Sequence, residues 1–191
     1  MRSTIAAAAL AAAALVASCG SDDPPEPLRL QTLVLQDSDL PDAFEAFARG
    51  PALRPEGGAG RRGDRTRFGR RGGWSVSFRR PGSAATAGPL VVVSRVDEFG
   101  EAEGAERALA EVGAELRRVG RPLAPPGIGA ESVAVVQTRG GTAPARFYTI
   151  VWRDDRLTGS LRVSGFALDA DDALALARTQ ADRMASALRP A

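Results

Sequence analysis

The sequence predicts an α+β domain: a twisted antiparallel sheet of about five to six strands with two main helices packed on one face. Three observations carry this. Short apolar or alternating segments cluster at 74–93 and again at 133–165. Two longer segments, 105–119 and 170–188, repeat apolar residues at helical spacing. Strands grouped as hairpins, with helices inserted between the groups, are the pattern of antiparallel pairing.

Taken in order, residues 28–35 (LRLQTLVL) alternate in part and predict a first strand. In DSDLPDAFEAFARG, Asp39 suits a helix cap and Pro41 the first turn. Phe44 and Phe47 then share a face and Gly50 stops the segment, so a short helix is expected. Residues 50–73 have no usable apolar periodicity, and glycine and arginine dominate them. A disordered Gly/Arg-rich loop is expected at about 50–73. Trp74-Ser75-Val76-Ser77-Phe78 alternates apolar and hydroxyl side chains, as a strand with one buried and one solvated face requires. Leu90 to Val93 is a continuous apolar run, suited to the middle of a sheet.

Ala105, Leu109, Val112, Leu116 and Val119 then form one apolar stripe, while Glu103, Arg107 and Glu111 support the outer face of that helix. Gly120 and Pro122 end it. After the turn-rich PPGIGAES come strands at Val133–Gln137, Phe147–Arg153 and Leu157–Gly165, the last two joined by a hairpin at Asp154-Asp155-Arg156. In the third, Thr158, Ser160, Arg162 and Ser164 oppose Leu161 and Val163. A last helix starts at Asp169, with Asp172 three residues on in a near capping box. Leu174, Ala177, Ala181, Met184 and Leu188 are its buried stripe.

The amino end has a different character. A short basic start, Met1-Arg2-Ser3-Thr4, precedes the uncharged run Ile5–Val16. That run is too short for a bilayer core, which takes about 20 apolar residues, but it fits a secretory signal. Val16-Ala17-Ser18-Cys19 resembles the lipobox of bacterial lipoproteins. The resemblance implies a diacylglycerol on the Cys19 sulfur, cleavage before Cys19 and acylation of the new amino terminus. Several acyl chains, at about 0.8 kcal/mol per buried CH₂, hold a protein on a membrane far better than one. The expected organisation is a signal peptide at 1–18, a Pro/Asp-rich tether at 19–27 and one α+β domain at 28–191. The Pro-rich stretch Asp22–Pro27 favours an extended, solvated tether. Such a protein sits on the extracytoplasmic face of the cell membrane, attached through lipidated Cys19.

Composition narrows the chemistry. All 25 basic residues are arginine, and lysine, asparagine and histidine are absent, a bias that a GC-rich coding sequence produces. Without histidine there is no Ser-His-Asp or Cys-His pair, and the usual zinc ligand sets are missing. The only cysteine is committed to lipid. No cofactor, no metal and no enzymatic activity are expected, and a net charge of +2 gives no reason to expect nucleic acid.

One further likeness rests on the order of short motifs: DLP, SRVDEFG before a helix, GIGAES before a strand, YTIVWR in a hairpin and ALALARTQADRM in the last helix. This order resembles small envelope lipoproteins of actinobacterial type and the extracellular sensor domains of membrane Ser/Thr kinases. The resemblance implies a twisted antiparallel sheet with two helices and a ligand groove. The paired cysteines common in the sensor domains are absent here.

The expected role is therefore non-enzymatic ligand binding or sensing at the cell envelope. The alternatives are a structural or assembly protein that binds an envelope protein partner and, more distantly, a carboxylate-dependent hydrolase. Candidate ligand-binding residues are Arg61, Arg62, Arg65, Arg67, Arg70 and Arg71, whose guanidiniums suit the phosphates or carboxylates of an anionic envelope lipid or glycan. A solvated loop written by codon bias is the other reading of that cluster. Trp74, Tyr148 and Trp152 are candidates for an apolar groove, and as single aromatics on strands they equally suit a core.

Overall fold

The computed structural model describes residues 28–54 and 66–189. The expected signal peptide, Cys19 and the tether lie outside the described residues, as does the middle of the Gly/Arg-rich segment. The seven strands are β1 (Glu45–Pro51), β2 (Arg70–Arg79), β3 (Val91–Phe99), β4 (Arg121–Pro122), β5 (Glu131–Arg139), β6 (Ala145–Asp154) and β7 (Leu157–Gly165). They form one sheet in the order β1-β2-β3-β7-β6-β5-β4, antiparallel throughout. Two α-helices, α1 (Ala102–Val119) and α2 (Ala170–Ala187), follow β3 and β7. The α+β class is as expected; the sheet has one or two strands more.

The extra strands come from segments that the apolar pattern misassigned. The expected first strand at 28–35 instead holds a short 3-10 helix at Leu30–Thr32, followed by the buried run Leu33-Val34-Leu35. Three consecutive buried side chains suit a strap lying across the core rather than a strand exposing alternate residues. The Leu35 N–H donates to Ser94 Oγ (2.9 Å), in the middle of β3. The expected helix after Asp39 is also corrected: a 3-10 turn covers Asp37–Asp39, and Glu45–Pro51 form edge strand β1. A bulge between Ala46 and Ala48 breaks the alternation of β1, and Phe44, just before the strand, stands three residues from Phe47, a spacing that imitates a helix. The Gly/Arg-rich segment is shorter than expected, because residues 70–73 belong to β2.

The two helices lie on opposite faces of the sheet, not on one. Cross-strand register proves it. Ser94, Leu161, Ile150 and Ala134 form one row, and Gln180 of α2 accepts a hydrogen bond from Ser94 Oγ at 2.8 Å. The neighbouring row, Arg95, Ser160, Val151 and Val133, points the other way. There Leu109, Val112 and Leu116 of α1 pack on Val133 and Val151.

The α2 face is the main core. Val76, Phe78, Val92, Val96, Ile150, Leu161 and Val163 meet Ala173, Ala177, Ala181 and Met184, with the 33–35 strap and Leu40 closing one side. Small alanines let α2 approach the sheet closely. Asp169 caps α2 as its sequence indicated, accepting from the Asp172 N–H at 3.0 Å. Arg183 of α2 fixes the strap, donating to the Val34 carbonyl and pairing with Asp39, each at 2.8 Å. The β6–β7 hairpin turns at Asp155, whose φ is +49°.

Candidate functional site

Strand alternation maps where each face of the sheet is covered. On β5 and β6 both faces are apolar: Val133, Val135 and Val151 on the α1 side, Ala134, Val136 and Ile150 on the other, all buried. A strand that is apolar on both sides is one covered on both sides. On β2 and β7 the α1-side residues are Ser75, Ser77, Thr158, Ser160, Arg162 and Ser164 instead. Among the described residues, α1 packs against β5, β6, β7 and the end of β3, and its diagonal path leads away from the β2 side.

The result is a half-sheet floor built from cross-strand rows. One row is Ser77, Val93, Arg162 and Thr149; the next is Arg79, Val91, Ser164 and Phe147. Arg162 is exposed, and Ser75, Ser77, Val91, Val93, Thr149, Ser164 and Phe147 are half-buried. Hydroxyls and valine methyls alternate along this floor. Phe47 stands at its far rim with the Arg79 guanidinium 5.4 Å from the ring centre. The floor therefore offers hydrogen-bonding groups, apolar contact and guanidiniums on one surface, as small-molecule sites do.

At one end of the floor a carboxylate is gripped by two arginines. Asp97 accepts from Arg70 Nε (2.9 Å) and Nη2 (2.6 Å), and from Arg95 Nε and Nη2 (both 2.9 Å). The Asp97 and Arg70 side chains are each 4% exposed and that of Arg95 15%. Arg70 also donates to the Ala52 carbonyl and Arg95 to the Arg54 carbonyl. These bonds fix the chain where it leaves β1. The fit demands glycine at 73, because a Cβ there would collide with Asp97 Oδ1 and Arg70 Nη2. Sequence reading placed Arg70 in a loop; the register shift between Arg70 and Gly72 pairs Arg70 with Phe99 and so brings it to the face of Asp97.

The other sequence candidates are distributed as follows. Arg61, Arg62 and Arg65 lie outside the described residues. Arg67 pairs with Glu111 of α1 at 2.6 Å and stacks on Phe68. Arg71 is exposed at the start of β2. Trp74, Tyr148 and Trp152 share the α2 face rather than the open one. Tyr148 and Trp152 are buried in the main core, and Trp74 packs against it half-buried. The Tyr148 hydroxyl donates to the Leu168 carbonyl at 3.4 Å, and the Trp152 ring lies flush on Gly159. Here the aromatics serve packing. The floor residues Ser75, Ser77, Thr149, Arg162 and Ser164 were not singled out as a site, although the alternation that exposes them was legible in β2 and β7.

Among the described residues, no helix is long and apolar enough to cross a membrane. No protein-family model and no curated protein matches the chain. Among solved structures, the chain is similar to the extracellular domain of PknH from Mycobacterium tuberculosis, with a TM-score of 0.65 and 12% sequence identity. The likeness covers 83% of this chain and 95% of that one. At that identity it shows a shared fold.

Proposed function

We propose that the chain is an exported, lipid-anchored binding or sensing domain of the cell envelope, without enzymatic activity, whose ligand lies on the open half of the sheet. The observation that carries this is the unequal cover of the two faces. One is filled by α2 and the strap, while the other keeps a floor of half-buried Ser75, Ser77, Val93 and Thr149 with exposed Arg162. The lipobox-like Val16–Cys19 supports the anchor, and the fold shared with the extracellular domain of PknH supports an extracytoplasmic position. Arginine and hydroxyl groups together suit an anionic lipid or glycan.

Metabolic labelling with radioactive palmitate tests the anchor: the wild type takes the label and Cys19→Ser does not. Native mass spectrometry of protein extracted in mild detergent tests the ligand, which appears as a co-purifying lipid or glycan mass. A bare wild-type mass would instead favour an assembly role. That second reading has its own observation, since Phe47 and Leu53 are 50% and 60% exposed at the β1 edge of the sheet.

A further inference from the structure

Nine of the described arginines have acidic company. Arg49, Arg67, Arg70, Arg79, Arg95, Arg107, Arg153, Arg156 and Arg183 each lie within 4.0 Å of a carboxylate oxygen. Several of the arginines without such a partner gather at one corner of the molecule. Arg117 and Arg118 in the last turn of α1, Arg121 in β4 and Arg139 at the end of β5 are exposed, and among the described residues none of them pairs with a carboxylate. Glu115, the nearest acidic residue along the chain, forms no ion pair with them.

The same corner holds an open cavity of about 440 Å³ lined by Val119, Gly120, Arg121, Gln137, Thr138 and Arg139, with Val136 at its base. It exists because β4 is only two residues long and pairs with Val135 and Val136 alone, so β5 runs past it. The negative end of the α1 dipole accounts for Arg117 and Arg118. It does not account for Arg121 and Arg139, which come from strands. Gln137 accepts a hydrogen bond from Arg139 Nη2 at 3.1 Å, and the Arg139 guanidinium lies 5.6 Å from the centre of the Phe147 ring. Arg139 is thus held in place, next to the row that contributes Phe147 to the open floor.

We infer that this corner binds a phosphate- or carboxylate-bearing group, held chiefly by Arg121 and Arg139. Two guanidinium-bearing residues, Arg121 and Arg139, line this concave edge site from opposite faces of the sheet; positive charge there concentrates anions, and guanidiniums take oxyanions through paired hydrogen bonds. The corner lies diagonally opposite the point where the amino end meets the sheet. Leu30 packs beside Gly72 of β2, and Arg139 is four strands and eight residues of strand rise away, roughly 30 Å. The inference deepens the binding role proposed above and rests on it, but the two fail separately, since palmitate labelling reads only Cys19.

The test is calorimetric titration of the full chain in mild detergent with inorganic tripolyphosphate and, separately, with glycerophosphoglycerol, the deacylated headgroup of a phosphatidylglycerol. Two double variants are compared, Arg121→Gln/Arg139→Gln and Arg49→Gln/Arg107→Gln, which remove the same charge from different places. The corner variant weakens binding about tenfold or more, as expected for charge-assisted hydrogen bonds, while the control pair changes it less than about threefold. Both variants keep the wild-type melting profile. Response to tripolyphosphate alone marks a free oligoanion, and response to the headgroup marks a lipid; either supports the site. Equal weakening in both variants, or no wild-type response to either probe, overturns it.

Discussion

Replacing Asp97 by asparagine removes one charge and almost no volume, so the variant isolates what the carboxylate does. In the wild type it accepts four short hydrogen bonds from Arg70 and Arg95, at 2.6–2.9 Å, while 4% exposed. Water cannot replace the carboxylate at that depth. Breaking a buried ion pair by removing one partner costs about 3–5 kcal/mol, and here two guanidiniums lose the same acceptor. For a domain of this size about 1 kcal/mol moves the melting temperature by 2–4 °C, so Asp97→Asn melts about 6–20 °C lower. Asp37→Asn, which loses an ion pair to Arg49 with a 71% exposed carboxylate, stays within about 0.5 kcal/mol of wild type. Arg70→Met costs less than Asp97→Asn, because Arg95 still holds the carboxylate. Thermal and urea unfolding followed by circular dichroism measure all three. An Asp97→Asn domain within about 1 kcal/mol of wild type would refute the claim that this cluster anchors the base of the Gly/Arg-rich segment.

Two further outcomes follow from the strap. Gln180 is fully buried, accepts from Ser94 Oγ and donates Nε2–H to the Arg95 carbonyl at 2.8 Å. Gln180→Leu leaves both groups unsatisfied and costs about 1–3 kcal/mol; amide exchange at Leu35, which bonds the same Ser94, accelerates, and unchanged exchange there would contradict the coupling. The Asp39 carboxyl sits below its ordinary value of 3.8: burial pushes it up, but hydrogen bonds from Arg183 and the Gln36 N–H, with the Arg183 charge, outweigh that. A lowered folded value stabilises the domain above the ordinary value, and that contribution disappears as pH falls through the folded one. The stability gap between wild type and Asp39→Asn therefore narrows as pH falls from about 6 to about 2.5; a gap that stays constant refutes this.

The helices and the three carboxy-terminal strands were legible because their signals are local. A stripe such as Leu109, Val112 and Leu116, or a cap such as Asp169, needs no knowledge of distant residues. The face on which each helix packs was legible too, but only by comparing strands. WSVSF alternates because one side is open, whereas VAVV and YTIVW are apolar on both sides because helices cover both. Arguing from the grouping of strands and helices alone placed both helices on one face. The strap at 33–35 and strand β1 were missed for a physical reason. Their conformation is set by Ser94, Gln180 and Arg183 and by pairing with β2, contacts far apart in sequence, while local propensity alone favours the alternatives. Of the site candidates, Arg70 was chosen for its charge and found in a buried cluster, since nothing local reveals its Asp97 partner.

The uneven cover of the sheet also sets how the molecule breathes. Strands β6 and β5 are clasped between two layers, so their amides should exchange only when the whole fold opens. Around β1 and β2 there is backing on one side alone, and a bulged rim ends the ladder. Fluctuation therefore concentrates where the floor lies, and a molecule settling there would be felt first as slower exchange at Ser75 and Ser77, well before any rigid part of the scaffold responded.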